Sequence, residues 1–384
     1  MHVVLFTHPN FLSHQSMPRF ARMLAEGMQQ RGHTVEIWTP QPHFMRLPAP
    51  GVARKWLSYL DQYLMFPLRV RRLLRTCPAD SLFVFTDQAL GPWVPLVAHR
   101  PHVVHCHDFL AQRSALGEVA ENRTAWPGRQ YLAYIRRGYA QARNFISVSE
   151  HTRQDLHRFL PTAPHFSGMV YNGLNQKFEV IEADAARASL GRQTGLNLGQ
   201  GYLLHVGGNQ WYKNRAGVLA LYFAWRRISP FRQPLLLIGE APSAALGQQR
   251  AASPYGAEVH FLPGLPDEVV RQAYAGASVL LFPSLAEGFG WPIAEAMAAG
   301  CPVITTGADP MREVGGTAAF YLPRLAADEP LESWAAAAAQ QVAAVVELAG
   351  PARARVLAQG RENARRFDPT TALDRIEAIY QQLV

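Results

Sequence analysis

A strand, a loop and a helix follow one another between residues 278 and 300, and this unit constrains the fold of the whole chain. The apolar run Ser278–Phe282 is short and contains Val and Leu, which is typical of a buried parallel strand. The loop after it contains glycines, and Pro292 stands where a helix can begin without losing a hydrogen bond. Good helix formers then run from residue 293 to residue 299, and Gly300 ends the helix.

Glu287 stands in the loop of this unit, and Glu295 stands about one turn into its helix. In a parallel sheet the loops after the strands lie at one edge, where helix N-termini attract anions. Two carboxylates beside an anion site favour a ligand that has both hydroxyls and phosphates, such as a nucleotide sugar. The alternative is that both glutamates are solvated surface residues.

The length of 384 residues favours two domains of somewhat under about 200 residues, each with its own core. Hydrophobic residues make up 48% of the chain and charged residues 17%, which is typical of a folded globular protein. We predict a first domain over 1–185 and a second over 198–365. Residues 179–200 have the mixed charge, Gly and Gln of a linker.

The three cysteines, Cys77, Cys106 and Cys301, cannot all pair and have no metal-ligand spacing, which favours a reducing cytoplasm. His105 and His107 flank Cys106, but alternate residues of a strand share a face. Cys106 should therefore point away from both histidines, and no zinc site is expected. No stretch reaches about eighteen apolar residues, and the first residues lack the pattern of a signal peptide, so a cytoplasmic protein is expected.

The formal net charge of +8 suits anionic partners. The basic residues are dispersed and no nucleic-acid motif is present, so we expect no nucleic-acid partner. The densest basic stretch is 54–75, where Arg and Lys interleave with Trp, Tyr, Phe and Leu. It has two interpretations: a surface that contacts a membrane peripherally, or a core-facing helix kinked at Pro67 with a solvated basic rim.

The first half opens as a strand, a helix and a strand, over residues 1–7, 17–31 and 34–39. Further strands are predicted at Leu82–Phe85 and His102–Cys106. Ligands bind at the carboxyl ends of such strands, so polar residues after them should line the cleft. The candidates are Asn10, His14, His107 and Asp108.

The second half opens with a strand over residues 202–208 and a helix over residues 216–227. Between them lie glycines and a lysine, which together with a helix N-terminus make a phosphate site. The candidates for phosphate contact are Gly207, Gly208, Asn209, Lys213 and Arg215. Later strands are predicted at residues 234–239, 258–262 and 302–306, and a helix at residues 267–276.

The stretch from Glu287, Glu-Gly-Phe-Gly-Trp-Pro-Ile-Ala-Glu-Ala-Met-Ala-Ala-Gly-Cys-Pro-Val-Ile, closely resembles the Glu-x7-Glu signature of retaining GT-B glycosyltransferases, in particular glycosyltransferase family 4. His-x-His-Asp at 105–108 and the segments 145–178 and 204–215 are also similar to that family. The resemblance implies the GT-B fold, an α/β architecture of two Rossmann-like domains facing each other across a cleft. It also implies that the last helix, residues 366–384, packs back on the first domain.

The resemblance implies a role for single residues. His107 matches a histidine that lies against the donor sugar, and Lys213 matches a lysine on the donor diphosphate. Glu295 would accept hydrogen bonds from ribose hydroxyls and Glu287 from hydroxyls of the donor sugar. The donor contacts are completed by Gly288, Phe289 and Gly290, and Asn172 would lie near the cleft on the acceptor side.

Two departures from the family accompany these matches. Family members carry an arginine where this chain has Gly208, so Arg215 or a basic residue of the first domain would replace it. Arg215 begins a helix, and it could equally point to solvent. The first loop, residues 8–16, lacks the Gly-rich turn that admits the acceptor in relatives, so the acceptor site should be bulkier.

The implied activity is transfer of a hexosyl-type sugar, with retention, from a UDP- or GDP-linked donor to a glycan, lipid-linked or small-molecule acceptor. No cofactor and no metal ion are expected, because no ligand cluster is visible in the sequence. The alternatives are a sugar-nucleotide epimerase, a glycogen-type phosphorylase, which would need far greater length, and a GT-B protein that binds sugar nucleotides with weakened catalysis.

Overall fold

The computed structural model describes residues 1–11, 16–174, 176, 178 and 180–384. The chain divides into two compact units. The first unit comprises Met1–Val119, Arg123–Asn175 and Pro369–Val384, and the second comprises Ala120–Asn122 and Gln176–Asp368.

The first unit is a parallel sheet of six strands in the order β2-β1-β3-β4-β5-β6. The strands are β1 (His2–Phe6), β2 (Thr34–Trp38), β3 (Leu82–Phe85), β4 (His102–Cys106), β5 (Asn144–Ser147) and β6 (Phe166–Met169). The helices between them are α1 (Ser16–Gln30), α2 (Gly51–Leu60), α3 (Phe66–Leu73), α4 (Leu110–Ala115), α5 (Trp126–Tyr139) and α6 (Glu150–Phe159). A π-helical segment, Asp61–Met65, joins α2 to α3, and 3₁₀ segments span Phe44–Arg46 and Gln88–Leu96.

The central strands of the first sheet, β1, β3, β4 and β5, are buried on both faces, as apolar strands without alternation require, whereas the edge strand β2 is largely exposed. Val4 and Phe6 of β1 face one apolar cluster, whereas Val3 and Leu5 face the other. Helix α6 is capped by Ser149, whose hydroxyl accepts a hydrogen bond from the amide of Thr152 at 3.1 Å.

The second unit repeats this architecture with a parallel sheet in the order β12-β11-β10-β7-β8-β9. Its strands are β7 (Leu203–Gly207), β8 (Leu235–Gly239), β9 (Val259–Pro263), β10 (Val279–Phe282), β11 (Val303–Thr306) and β12 (Phe320–Leu322). Its helices are α7 (Ala183–Thr194), α8 (Arg215–Ile228), α9 (Ala244–Ala251), α10 (Asp267–Gly276), α11 (Trp291–Ala298), α12 (Met311–Gly315), α13 (Leu331–Val346) and α14 (Gly350–Ala364). Short 3₁₀ segments span Trp211–Lys213, Gly256–Glu258 and Arg365–Phe367.

The last helix, α15 (Pro369–Gln382), belongs to the first unit although it follows the second in the chain. Leu373, Ile376 and Tyr380 lie in an apolar cluster with Val3 and Leu5. Tyr380 is fully buried, and its hydroxyl is hydrogen-bonded to Nε2 of His105 at 2.7 Å. The packing of the last helix on the first domain, which the family resemblance implies, is therefore confirmed.

Each sheet has a point where the strand order reverses, and ligands of such sheets bind at the carboxyl ends there. In the first unit the reversal lies between β1 and β3. In the second unit it lies between β7 and β10, so the loops after these two strands meet. Those loops are the ones that carry Lys213 and Glu287.

The predicted α/β class is confirmed in both sheets, and β3, β4 and α10 occupy the predicted residues. The interpretation of residues 179–200 as a linker is wrong in its central part, because α7 is a helix of the second unit. Two of its residues, Ala186 and Leu190, are buried and anchor it. Strand β6 and the 3₁₀ segment Gln88–Leu96 were not predicted.

Candidate active site

The loop between β7 and α8 is fixed to the end of β10 by Asn214. This residue has a left-handed backbone (φ 50°), and its carboxamide oxygen accepts a hydrogen bond from the amide of Gly217 at 3.1 Å. Its amide nitrogen donates to the carbonyl of Pro283 at 3.0 Å. An Asn directly before a helix is a capping signal, so the sequence could have identified this residue.

Lys213 and Glu287 form an ion pair at the reversal point of the second sheet. The Lys213 ammonium donates to both carboxylate oxygens of Glu287, at 2.8 and 3.0 Å. The side chains are only 15% and 8% exposed, and the ammonium also lies over the rings of Tyr212 and Phe282 at 5.3 and 5.1 Å. The predicted phosphate lysine and the predicted sugar carboxylate are thus brought together, and they neutralise each other.

Helix α11 begins as the sequence predicts, with Gly290 in a left-handed conformation (φ 98°) immediately before it. Glu295 lies within its second turn and is half-buried. Its carboxylate accepts a hydrogen bond from the hydroxyl of Tyr274 at 2.8 Å. Tyr274 comes from α10 and is buried, and burial together with the Glu295 charge holds the pKa of its hydroxyl well above the ordinary value. No sequence pattern marks this tyrosine, which stands 21 positions from its partner.

The other donor-side candidates of this loop differ in exposure. Phe289 is buried, and its ring packs edge-on against Phe367 at 5.3 Å between centroids. Gly288 is half-buried beside it. Because the Phe289 side chain is buried, a donor contact of this residue would have to use its backbone amide, and the predicted amide contacts of Phe289 and Gly290 stay a prediction.

The glycine loop after β7 is bound to a carboxylate that the sequence did not single out. The amide of Asn209 donates to Glu240 at 3.1 Å, and the side chain of Gln210 donates to the same carboxylate at 3.2 Å. A Cβ on Gly208 would lie 2.6 Å from Gln210 Oε1 and 2.9 Å from Glu240 Oε1. The space beside Gly208 is therefore filled by the side chains of Gln210 and Glu240.

Arg215 does not point to solvent, so that alternative is wrong. The side chain is buried, and Nη1 donates to the Asn209 side-chain oxygen at 2.5 Å and to the Glu240 carbonyl at 2.9 Å. The guanidinium lies 5.3 Å from the Phe261 ring centroid. Burial lowers the pKa of Arg215, and the Glu240 charge partly opposes this. Arg215 thus holds the loop and the end of β8 together.

His107 follows β4 in the first unit and is buried. Nε2–H donates to the carbonyl of Thr86 at 3.0 Å, and the His107 amide donates to the Gln88 side chain at 2.9 Å. The ring packs edge-on against Phe20 at 4.5 Å. Burial lowers the pKa of His107, opposed by the Asp87 charge, so the imidazole is neutral near pH 7.

The face alternation predicted for β4 is confirmed. The rings of His105 and His107 both contact Phe20, whereas Cys106 belongs to the cluster that contains Tyr139. Within the described part of the chain, no three His, Cys, Asp or Glu side chains form a metal site.

The acceptor-side candidates of the first unit are not alike. Asn10 is exposed and Asn172 is buried. The Asp108 carboxylate accepts a hydrogen bond from the amide of Leu110 at 3.0 Å, as a local turn does. His14 lies outside the described residues.

Two buried histidines predict loss of stability in acid. Burial lowers the pKa of both His105 and His205 to about 3, and Lys213 and Arg215 add to this for His205. Since an unfolded histidine titrates near pH 6.5, the unfolded state binds more protons between about pH 6.5 and 3, and stability falls as the pH falls through that window. When the pH is lowered from 7 to 5, the unfolding temperature of His205→Gln should fall less than that of the parent chain. An equal loss would contradict this assignment.

Models of two glycosyltransferase families match the chain. The model described as "Glycosyltransferase Family 4" matches residues 17–178, and the model described as "Glycosyl transferases group 1" matches residues 200–344. In the described residues, no helix has the length and apolar character needed to cross a membrane.

Similar proteins include the O-antigen chain mannosyltransferase B of Escherichia coli, 35% identical over 121 residues. That match covers 31% of this chain and 32% of the relative's own length. An uncharacterized glycosyltransferase of Methanocaldococcus jannaschii is 22% identical over 76% of each chain. The crystal structure of Anabaena HepE in complex with UDP and glucose has a TM-score of 0.69 and 17% identity, with full coverage of both chains, and this likeness shows the GT-B fold.

Proposed function

We propose that this chain, which belongs to the GT-B glycosyltransferases of family 4 and group 1, transfers a hexosyl-type sugar from a UDP- or GDP-linked donor with retention and without a metal ion. The observation that carries the proposal is the convergence of Lys213 and Glu287 at the reversal point of the second sheet, with Glu295 on the adjoining helix. The acceptor would be a saccharide, a lipid-linked sugar or a small molecule. The transfer reaction would take place in the cytoplasm.

Departure of a nucleoside diphosphate places negative charge on the leaving group, and stabilising that charge is the main electrostatic requirement. The Lys213 ammonium would exchange its bond to Glu287 for one to the diphosphate, and the freed carboxylate would accept hydrogen bonds from hydroxyls of the donor sugar. The amide groups at the start of α11 would add donors. This exchange supports a metal-free reaction, because one ion pair supplies both the cation and the acceptor.

Retention would follow from attack on the face that the diphosphate leaves. His107 is neutral and anchored through Nε2, so only Nδ1 of its ring remains to contact a sugar. A neutral imidazole can accept a hydrogen bond from a hydroxyl there without adding charge. His107 would thus position the donor sugar rather than act as an acid.

Chelation should leave the activity unchanged. We expect turnover in excess EDTA to equal turnover in magnesium, because no carboxylate cluster among the described residues could hold a divalent ion. Initial rates with and without chelator measure this. Activity that disappears in EDTA and returns with manganese would contradict the metal-free mechanism.

Tyr274→Phe should weaken nucleotide binding while the fold is kept. The hydroxyl orients the Glu295 carboxylate, which would receive the ribose hydroxyls, so its loss should raise the Kd for the nucleotide roughly tenfold, equal to about 1.4 kcal/mol. Calorimetry with UDP and GDP measures the change, and Tyr321→Phe, in the same unit, serves as the control. Equal affinities in the parent and Tyr274→Phe would remove the nucleotide role of Glu295.

A screen of UDP- and GDP-sugars tests the donor class. A ligand that binds only the native state raises the unfolding temperature, and slow release of UDP or GDP then separates an enzyme from a protein that only binds. Binding without release would favour the alternative, a GT-B protein with weakened catalysis, and the acidic Glu240 beside Gly208 is the observation in its favour.

The proposal extends to peripheral membrane contact of residues 54–75.

A further inference from the structure

Four large apolar side chains stand exposed along the helical segment formed by α2, the π-helical segment and α3. Trp56 is 66% exposed, and Leu60, Leu64 and Leu68 follow at steps of four residues with 39%, 51% and 50% exposure. Exposed apolar residues are ordinary when scattered singly, but a continuous row of them indicates a surface for a partner.

The opposite side of the same segment is buried, and part of it is polar. Ser58, Gln62, Phe66 and Val70 are buried at the same four-residue step. The Gln62 side chain donates to the hydroxyl of Ser58 at 2.8 Å. Since an α-helix has about 3.6 residues per turn, steps of four drift around it, and the wider π-helical turn reduces that drift. Of the two interpretations of residues 54–75, the core-facing helix therefore does not describe the exposed row, which faces away from the unit.

Helix α5 extends this surface. The hydroxyls of Tyr63 and Tyr131 are hydrogen-bonded at 2.7 Å, and the rings of Tyr63 and Tyr134 pack edge-on at 5.7 Å. Tyr134 is 46% exposed and Trp126, at the start of α5, is 64% exposed. Trp and Tyr are the residues that favour the boundary between water and lipid.

The charge of the chain is concentrated on the same two segments. Residues 51–76 contain six basic residues and one acidic residue, and 126–139 contain three basic residues and no acidic one. Their combined charge of +8 equals the formal charge of the whole chain, so the remaining residues are neutral in sum. The acidic residue, Asp61, is buried and accepts hydrogen bonds from the amides of Phe44 and Met45. Within the described part of the chain, none of the nine basic side chains forms an ion pair.

We infer that α2, α3 and α5 form a surface that binds the face of an anionic lipid bilayer, with the row Trp56, Leu60, Leu64 and Leu68 inserted among the acyl chains. A second copy of the chain would bring +8 against +8, and electrostatic repulsion opposes that pairing. Nucleic acid would neutralise the basic residues but leave the leucine row in contact with water. An anionic bilayer would neutralise the basic residues and also remove the row from water.

Sedimentation with vesicles tests this surface without any enzymatic assay, so its result is independent of the proposed donor reaction. The full chain should sediment with vesicles of phosphatidylglycerol and phosphatidylcholine, bind vesicles of phosphatidylcholine alone roughly tenfold more weakly, and dissociate as salt is raised. The double variant Trp56→Ser and Leu64→Ser should lose binding at least roughly tenfold, because two inserted side chains are removed. Its unfolding temperature should match that of the parent, since both positions are exposed.

The matched control is Ile228→Ser with Phe231→Ser, two exposed apolar positions of the second unit, 46% and 44% exposed. This control should sediment as the parent does. Equal loss in both double variants, or sedimentation that ignores the anionic lipid, would overturn the inference. So would equal binding by the parent and the Trp56 and Leu64 variant, and so would a dimer seen by sedimentation velocity that this variant abolishes.

Discussion

Replacement of Lys213 by methionine is expected to lower kcat by roughly two to three orders of magnitude, because the leaving diphosphate loses its cation. The pair with Glu287 is also broken, which leaves a buried carboxylate without a partner and should cost about 3–5 kcal/mol of stability. Initial rates and chemical denaturation measure the two effects separately. They must be separated, because an unfolded variant would also be inactive.

The double variant Lys213→Met with Glu287→Gln provides that separation. Both charges are removed, so the stability should return towards that of the parent while the activity stays low. Restored activity in the double variant would mean that Lys213 only neutralises Glu287. Arg215→Ala is the second comparison. Since Arg215 is buried and hydrogen-bonded, its loss should destabilise the fold, with a smaller effect on kcat of the folded protein than Lys213→Met has.

Gly138→Ala is expected to destabilise the first unit by about 3 kcal/mol or more. A Cβ at this position of α5 would lie 2.2 Å from the carbonyl oxygen of Gly91, in the 3₁₀ segment Gln88–Leu96. That contact is between backbones, so no side-chain rotation can relieve it, and the two segments must separate. Chemical denaturation of the variant measures the loss.

Gly247→Ala is the matched control for this prediction. Gly247 lies inside α9, and a Cβ there would have no atom within 4 Å. Alanine is favoured over glycine inside a helix, so this variant should gain about 0.5–1 kcal/mol. If Gly138→Ala has the same free energy of unfolding as the parent, the close backbone contact between α5 and Gly91 would be contradicted.

The sequence predicted the fold well where the signal was local. Runs of Val, Leu and Phe mark buried strands such as β3 and β10, and Gly300 marks a helix end because its backbone is left-handed (φ 79°). α7 was missed because only Ala186 and Leu190 of its residues are buried. Strand β6 was missed because each of its residues is only half-buried.

Predicting the candidate site from sequence had a different limit. Motif spacing selected Lys213, Glu287 and Glu295, and the first two do meet. The partners that hold the site, Tyr274 and Glu240, come from other elements, and no motif spacing links them to Glu295 and Asn209. The segment 54–75 was left with two interpretations for a related reason, since periodicity gives the width of an apolar face but not the side that the sheet will cover.

The position of α15 in the first unit has a consequence for biosynthesis. Part of one face of that sheet is covered by Leu373, Ile376 and Tyr380, which are synthesised well after the strands they cover. The strands β1 to β6 are complete about 200 residues earlier, which at about 5–20 residues per second is a delay of at least roughly ten seconds. During that interval the part of the apolar sheet face that α15 covers is exposed in the nascent first unit, so we expect chaperone binding to persist until α15 has been synthesised.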